Sequence, residues 1–364
     1  MRATKVSIVL PALALIVAAC SAAATPVPTK APTAAPTAAA TTAATAAPTA
    51  APTTPPLAKI RFRFDWIKTP GDTAMQVAIS NGYFREANLE VTTTIGTGST
   101  DSVTLTGAGQ FEMAQAASLN LAVGVANGVP VKAVGVLYQK DPNGMISRQD
   151  APIRVPTDLY GKKDCIQQGS SLQYYKAVVA ANKLDTSKIT EVPVGFDVAP
   201  LVQKQCDGLI DFADGEVLLV KQAMNADPVF VPVKDWGVTT YGTTLLVSNA
   251  FASSNADAVK RFVNAFARGL KYAVENPAAA ATIMRSAYSD VDGALLQAKV
   301  LAAYKFWTSP DTDTNGVLFN STDVWQKELD LARQIGLISK TLAPADVMTN
   351  DFLPKPGVMA KPAS

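Results

Sequence analysis

Hydrophobic and polar positions alternate where the globular part of the chain begins. Residues 60–65 run Ile-Arg-Phe-Arg-Phe-Asp, so apolar and charged side chains take turns, which is typical of a half-buried strand. An amphipathic helix is predicted over 72–84, a strand over 89–95 and another strand over 131–138. Short helical patterns at 102–107 and 119–126 and a strand at 111–114 lie between them. This βα alternation predicts a parallel sheet with helices on both faces.

A second region of the same kind begins near Pro152. It predicts strands at 163–167, 190–194, 208–213 and 229–233, with helices between them. A strand at 243–248 would then return to the first sheet. Helical patterns follow at 256–275, 291–307 and 322–335.

A chain that enters a second domain and returns joins its two domains by two crossovers. Such a pair forms a hinged clamp with a cleft between its lobes, and ligands of open α/β sheets bind beyond the carboxyl ends of the strands. We therefore predict an α/β, two-lobed fold with parallel-dominated sheets flanked by helices. Lobe 1 is predicted over residues 57–150 and 236–364, and lobe 2 over 151–235.

The N-terminal segment has the pattern of an exported protein. Arg2 and Lys5 precede an apolar run that is too short for a comfortable membrane span, which predicts a signal peptide over residues 1–19. The run ends in Val-Ala-Ala-Cys20 and resembles the bacterial lipobox. That resemblance implies cleavage before Cys20, lipidation (palmitate) of its sulfur, and a location on the extracytoplasmic face of the cell membrane. The alternative is an ordinary signal with a chance cysteine.

The next segment predicts a tether. Residues 21–56 are almost entirely Ala, Thr and Pro, with Lys30 as the one charged residue. A segment so poor in large apolar side chains cannot build a core, so residues 20–56 are predicted to be a disordered link between the lipidated cysteine and the lobes. The composition also permits O-glycosylation.

Charge and histidine content narrow the possible functions. The chain has 32 Lys and Arg against 30 Asp and Glu, a net charge of +2, which gives no reason to expect a nucleic-acid partner. Histidine is absent. Its absence removes the commonest general base and excludes Ser–His and Cys–His mechanisms within this chain. We therefore predict a protein that is not an enzyme, with no catalytic residue, cofactor or metal.

Several motifs together resemble one protein family. After Asp65-Trp66, the run Asn81-Gly-Tyr-Phe-Arg-Glu-Ala-Asn-Leu-Glu-Val91 resembles the GYF signature of type-II periplasmic binding proteins. The segments Trp236-Gly-Val and Thr349-Asn-Asp-Phe-Leu-Pro354 resemble the Thi5-like (NMT1/THI5-like) branch, and the likeness covers residues 59–354. It implies a solute-binding lipoprotein that delivers a small molecule to an ABC permease with its ATPase.

The resemblance also suggests ligands. The branch includes binding proteins for the thiamin pyrimidine precursor and for riboflavin, and a fungal enzyme that consumes its own histidine and uses a cysteine-rich iron site. This chain lacks both features of that enzyme. Residues 67–73 also lack the Asn and His that precursor binders carry, which favours riboflavin over hydroxymethylpyrimidine or formylaminopyrimidine. Other classes left open are a secreted enzyme, a ligand-sensing module for a receptor and a cell-wall structural protein.

Aromatic residues at predicted strand ends are candidates for ligand contact. Trp66 ends the first strand, where an indole can stack on a flat heterocycle, and Tyr138 ends the strand at 131–138. The resemblance adds Tyr241, near the second crossover. The alternative for each is packing in a core. A glycine-rich turn at residues 96–100 can supply hydroxyl groups to the cleft.

Helix starts in lobe 2 supply polar candidates. Ser170 and Ser171 open a predicted helix whose free N–H groups can bind ligand oxygens, and Gln173 and Tyr174 follow on its first turn. Glu216 opens the next helix, and the resemblance matches it to a glutamate that meets the ring amine in thiamin-precursor binders. Helix capping is the alternative for the serines and for Glu216.

Two cysteines remain if Cys20 is lipidated. Cys165 lies in the first predicted strand of lobe 2 and Cys206 lies just before the third, and these strands are expected to be neighbours. In an oxidising compartment, such a pair predicts a disulfide bond. Without histidine, a metal site at this pair is not favoured.

Overall fold

The computed structural model describes residues 55–363. The predicted signal peptide, the lipidation of Cys20 and nearly all of the predicted tether lie outside this range. Within it, no helix combines the length and the apolar character needed to cross a membrane.

Ten strands and fourteen α-helices make up the described chain. The strands are β1 Ala58–Arg63, β2 Leu89–Thr94, β3 Met113–Ala117, β4 Val131–Val136, β5 Asn143–Ser147, β6 Lys163–Ile166, β7 Thr190–Pro193, β8 Gly208–Phe212, β9 Val229–Pro232 and β10 Thr243–Ser248. The helices are α1 Thr73–Ser80, α2 Tyr83–Glu86, α3 Ser99–Gly107, α4 Ser118–Ala126, α5 Ser170–Ala181, α6 Ala199–Val202, α7 Glu216–Met224, α8 Asn249–Ser254, α9 Ala256–Glu275, α10 Pro277–Ala287, α11 Gly293–Ala303, α12 Pro310–Asn315, α13 Thr322–Gln334 and α14 Pro344–Val347.

The strands form two five-stranded sheets, one in each lobe. Lobe 1 has the order β2-β1-β3-β10-β4, in which β1 runs parallel to β2 and β3 and the returning strand β10 is antiparallel to both its neighbours. Lobe 2 has the order β7-β6-β8-β5-β9, in which β6 runs parallel to β7 and β8 and β5 is antiparallel to both its neighbours. In each sheet, the strand that is antiparallel to both its neighbours is therefore the first strand after a crossover between the lobes. This strand is β5 in lobe 2 and β10 in lobe 1.

The position of β5 corrects the predicted lobe boundary. Residues 143–147 were assigned to lobe 1, but β5 pairs with β8 and β9 in lobe 2, so the first crossover precedes Asn143. All five residues of β5 are buried, and Pro142 and Gly144 hid the strand from a search for apolar alternation. At the other crossover, Trp236 and Val238 pack in the core of lobe 2, although residue 236 was predicted to begin the return to lobe 1.

The core of lobe 1 lies on both faces of its sheet. On one face, Phe62 of β1 stacks on Phe262 of α9 with ring centroids 5.7 Å apart, and α1 crosses α9 at Gly269. A Cβ atom at Gly269 would lie 2.2 Å from the carbonyl oxygen of Ala74, so this crossing requires glycine. On the other face, α3, α4 and α13 cover the sheet with residues such as Trp325.

Helix predictions differ from the structure mainly at breaks. The helix predicted over 72–84 divides into α1 and α2 because Gly82 adopts a left-handed φ of 73°. The long helix α9 covers the predicted residues 256–275. Pro277 was expected to end a helix, and it also begins α10, since proline is well suited to the first helical turn.

A disulfide bond joins Cys165 of β6 to Cys206, which lies two positions before the first residue of β8. Their Cα atoms are 5.6 Å apart across the parallel β6–β8 pair, and the two cysteines are separated by 41 positions in sequence. Both are buried with Leu201 and Val220 beneath α6 and α7, so the bond lies in the core of lobe 2.

Candidate functional site

A cavity of about 310 Å³ lies between the lobes. Most of its lining residues follow the carboxyl ends of strands β1, β2, β4, β6, β7 and β8, which is where open α/β sheets bind ligands. The residues that line this cavity include Asp65, Trp66, Ser99, Tyr138, Ser170, Ser171, Phe196, Asp211, Asp214, Glu216 and Lys299.

Trp66 is the main aromatic side chain on the lobe 1 side. It continues the alternation of Ile60, Phe62 and Phe64, so the buried face of β1 extends past the end of the strand and reaches the cavity as a half-buried indole. The predicted location of Trp66 in the cleft agrees with this placement. An indole there offers a flat surface on which a planar heterocycle can stack.

Asp65 is held beside the indole by a serine. The Ser99 hydroxyl donates to Asp65 Oδ2 at 3.3 Å, and Ser99 Oγ itself accepts from the backbone N–H of Ala117 at 3.0 Å. Burial raises the pKa of Asp65 to about 6 despite the hydrogen bond from Ser99. Ser99 and Gly98 come from the glycine-rich turn that was predicted to supply hydroxyl groups.

Carboxyl groups dominate the lobe 2 side. Asp211 is the penultimate residue of β8, Asp214 follows the strand, and Glu216 opens α7, so three acids line the cavity within six positions. Burial raises the pKa of Asp214 to about 6, and burial followed by the negative charge of Glu216 raises the pKa of Asp211. Lys299 of α11 faces these acids from lobe 1.

Tyr138 joins the two sides directly. Its hydroxyl donates a hydrogen bond of 2.7 Å to Asp214 Oδ2, and both side chains are buried. Tyr138 follows β4 in lobe 1 and Asp214 follows β8 in lobe 2, so this bond spans the cleft at its deep end. The predicted location of Tyr138 at the cleft agrees with the structure, but its partner Asp214 was not predicted.

The start of α5 forms another part of the lining. Gly169 adopts a φ of 86° and turns the chain from β6 into the helix, so that Ser170 and Ser171 begin α5 at the cavity. The first N–H groups of a helix have no intrahelical acceptor, and they can bind ligand oxygens. Both serines thus have the location that was predicted from the helix start.

Three of the predicted ligand residues do not line the cavity. Tyr174 lies one turn after Ser170, which places its ring fully inside the core of lobe 2. Tyr241 packs edge-to-face on Trp325 with centroids 5.7 Å apart, and its hydroxyl accepts from Ser321 N at 3.0 Å. Gln173 is half-buried elsewhere on α5. Helical rotation and core packing therefore correct these three predictions.

Several lining residues were not predicted. Asp211 and Asp214 stand in the acidic run Asp-Phe-Ala-Asp-Gly-Glu at the end of β8, which was a usable signal for a polar wall. Phe196 follows β7, and its ring meets Trp66 with centroids 4.3 Å apart and an interplanar angle of 62°. Lys299 lies on a C-terminal helix far along the chain, and nothing in its local sequence indicated the cleft.

The family described as NMT1/THI5 like matches residues 69–280, more than half of the 364-residue chain. The chain belongs to the NMT1/THI5-like family. This membership confirms the resemblance drawn from the sequence motifs.

Named relatives of this NMT1/THI5-like chain include binding proteins and synthases. It is 26% identical to the formylaminopyrimidine-binding protein of Halalkalibacterium halodurans, over 66% of this chain and 74% of that one. It is also 26% identical to the riboflavin-binding protein RibY of Chloroflexus aurantiacus, over 62% of this chain and 66% of that one. A 4-amino-5-hydroxymethyl-2-methylpyrimidine phosphate synthase of Aspergillus parasiticus is 24% identical over 81% of this chain and 87% of its own.

A solved structure supports the same fold. The alkanesulfonate-binding protein SsuA of Xanthomonas axonopodis pv. citri superposes with a TM-score of 0.63, covering 80% of this chain and 98% of that chain. Its sequence identity is 16%, so the likeness concerns the fold alone. The predicted periplasmic-binding-protein fold is confirmed.

Proposed function

We propose that this protein is the extracytoplasmic substrate-binding component of an ABC importer and that it captures a small aromatic vitamin, with riboflavin as the preferred ligand. The observation that carries the proposal is the pairing of Trp66 on one side of the interlobe cavity with Asp211, Asp214 and Glu216 on the other. An indole holds a planar ring, while carboxylates accept hydrogen bonds from ligand N–H and O–H groups.

Cavity volume favours the larger of the two vitamin-related ligands. Pockets for drug-sized molecules begin at roughly 300 Å³, and this cavity measures about 310 Å³. A flavin ring with its polyol chain fills such a space better than a single pyrimidine ring does. The polyol hydroxyls also match acceptors that are spread along the lining, from Asp65 to Glu216.

A pyrimidine precursor of thiamin is the second candidate. Glu216 opens α7 at the cavity, where a carboxylate can accept from an exocyclic ring amine. The relative named formylaminopyrimidine-binding protein gives this candidate the same level of sequence support as riboflavin has. Hydroxymethylpyrimidine and formylaminopyrimidine are therefore the competitors to test.

The proposal contains no catalytic step, although some relatives are named as synthases. The chain has no histidine, so it lacks the usual proton-transfer group. Among residues 55–363, no group of three or more His, Cys, Asp or Glu side chains is arranged to hold a metal ion. The cavity carboxyl groups are assigned to ligand binding.

Closure of the lobes provides the mechanism. A ligand that touches both sides of the cavity gains affinity only when the lobes approach, so binding shifts the population toward the closed form. The closed form would then dock on the permease, whose ATPase drives uptake. Lipidation of Cys20 would keep the lobes near the membrane, with residues 21–56 as the tether. In a sensing role, a receptor would take the place of the permease.

Titration of the full chain tests the ligand. Riboflavin fluorescence should be quenched at micromolar protein, because stacking on Trp66 quenches the flavin, and hydroxymethylpyrimidine should not reverse the quenching at equal concentration. Formylaminopyrimidine is tested in the same competition. Displacement of riboflavin by either pyrimidine, or calorimetric binding of a pyrimidine alone, would transfer the assignment to the thiamin precursor. Failure of all three ligands to bind would reject the vitamin proposal.

A further inference from the structure

Phe196 is an exposed aromatic side chain at the mouth of the cavity. It lies between β7 and α6, on a short turn in which Asp197 N donates to the Gly195 carbonyl at 2.9 Å. The Asp197 carboxylate accepts from Ala199 N at 2.8 Å and fixes the turn to the start of α6. The Phe196 side chain remains 56% exposed although it contacts lobe 1. Exposure of a single apolar ring is ordinary, and what sets Phe196 apart is that this exposed ring contacts Trp66 at the cavity.

The contact with Trp66 crosses from lobe 2 to lobe 1. The ring centroids are 4.3 Å apart at an angle of 62°, an edge-to-face arrangement. This pair lies at the solvent side of the cavity, since Phe196 is exposed, whereas the interlobe hydrogen bond of Tyr138 with Asp214 is buried. The cavity extends between these two contacts.

The spacing excludes one role for Phe196 in this conformation. A ligand ring stacked between two aromatic rings needs about 3.5 Å on each side, or about 7 Å between the outer centroids. The observed 4.3 Å leaves no room for an inserted ring. In this conformation the space for a heterocycle is therefore beside the Trp66–Phe196 pair and not between its two rings.

We propose that Phe196 is a lid residue that closes against Trp66 above the bound heterocycle and sets the rate of its release. This inference rests on the proposed function, because it assumes that the cavity takes a small aromatic ligand. It assigns to Trp66 a second role, since one part of the indole faces the ligand and its surface toward lobe 2 receives the lid.

Release kinetics with riboflavin provide the first test. In stopped-flow fluorescence, Phe196→Ala should raise the dissociation rate about tenfold, the order expected for loss of an aromatic pair with its buried area, while the association rate stays within about twofold. Phe196→Tyr keeps the ring and should release ligand at nearly the wild-type rate. Val155→Ala is the matched control, because Val155 is a 50% exposed apolar residue of lobe 2 outside the cavity lining.

A second readout needs no ligand. Of the four tryptophans in the chain, Trp236, Trp307 and Trp325 are buried and Trp66 is half-buried, so acrylamide quenching of tryptophan fluorescence reports mainly on Trp66. Phe196→Ala should raise the quenching constant about twofold, and the Trp66→Phe background should remove the difference. Because Phe196 is exposed, we expect these variants to fold.

The two readouts separate the lid from the ligand assignment. If wild-type protein binds no riboflavin but Phe196→Ala increases quenching, the vitamin assignment fails and the Trp66–Phe196 contact stands. If riboflavin binds and Phe196→Ala weakens it only through slower association, Phe196 contacts the entering ligand and the lid is rejected. If Phe196→Ala has the same dissociation rate and the same quenching constant as the wild-type protein, the lid is also rejected.

Discussion

The two sides of the cleft differ in chemistry. The lobe 1 side presents Trp66, Ile67 and Pro70, which are largely apolar, whereas the lobe 2 side presents three carboxyl groups within six positions. A flat ring can lie on the first side, and most of the carboxyl acceptors for its polar edge come from the second, with Asp65 as the carboxyl group on the first. Neither side suffices alone, so ligand affinity and lobe closure are expected to rise together.

On each side, the character of the cavity lining continues the residue pattern of the preceding strand. In β1 the buried face carries Ile60 and Phe62, and the same alternation continues through Phe64 to Trp66 outside the sheet. In β8 the last residues pass into an acidic run that leads to α7. The following predictions test how far this division holds, beginning with the largest effect.

Removal of the indole should have the largest effect. Trp66→Ala takes away the stacking surface and part of the apolar lining, and we expect riboflavin affinity to fall about 100-fold, whereas Trp66→Phe should lose about tenfold or less. Isothermal titration measures both. Equal affinities for Trp66→Ala and the wild type would show that lobe 1 does not hold the ring.

The bond between Tyr138 and Asp214 should have the next largest effect. Tyr138→Phe removes the donor that spans the lobes and leaves a buried carboxyl group without its partner, so we expect about a tenfold loss of affinity. In a double-mutant cycle with Asp214→Asn, the two losses should not add, since both remove the same bond. Additive losses would mean that the two residues act separately on the ligand.

A change of pH should alter ligand affinity by a smaller factor than these substitutions do. The pKa of Asp65 and of Asp214 is raised to about 6, so each gains its full acceptor strength only above that pH. A ligand that donates hydrogen bonds should bind about fivefold more tightly at pH 7 than at pH 5. Asp214→Asn should remove its part of this pH dependence and leave the part that Asp65 contributes, and a flat profile in the wild type would remove these carboxyl groups from ligand recognition.

The same ionisations affect folding in the opposite direction. The folded pKa of Asp214, about 6, lies above the ordinary aspartate pKa of 3.8 that applies in the unfolded chain. Its contribution to the free energy of unfolding is therefore fully present below pH 3.8 and is lost as the pH rises through about 6. Affinity for a hydrogen-bond donor and this part of the stability should thus change oppositely over that interval.

The smallest effect should come from the side of α5 that does not face the cavity. Gln173→Ala should leave affinity within about twofold, because the side chain does not line the cavity, while Ser171→Ala should cost about threefold through a lost hydroxyl. Ser171 and Gln173 lie on the same helix, but only Ser171 lines the cavity. A larger loss in Gln173→Ala than in Ser171→Ala would reverse the assignment of the cavity face.

The α/β alternation was enough to predict most of the fold. Strand β10 and helix α9 have the predicted bounds, because their apolar patterns are long and regular. The antiparallel direction of β10 was not predicted, since direction depends on where the chain re-enters the sheet. Strand β5 was missed because it is short, fully buried and follows Pro142.

Residues next to strand ends were the most predictable part of the site. Trp66 and Glu216 follow β1 and β8 within four positions, so strand ends predicted to within two residues were enough to place both at the cavity. Tyr241 could not be separated from its neighbours by sequence, because only tertiary packing turns its ring toward Trp325. Phe196 could be recognised as a cavity residue only from its contact with Trp66 of the other lobe, and such a contact leaves no pattern in the local sequence.

Strand β10 has a consequence for the order of assembly. It lies between β3 and β4, so the lobe 1 sheet stays divided until a strand from beyond residue 240 is inserted. The sheet of lobe 2, by contrast, is built from one uninterrupted stretch, residues 143–232, that emerges earlier during synthesis. We therefore expect the sheet of lobe 2 to fold first. The sheet of lobe 1 should form only after β10 has been synthesised, although its other strands are nearer the N-terminus.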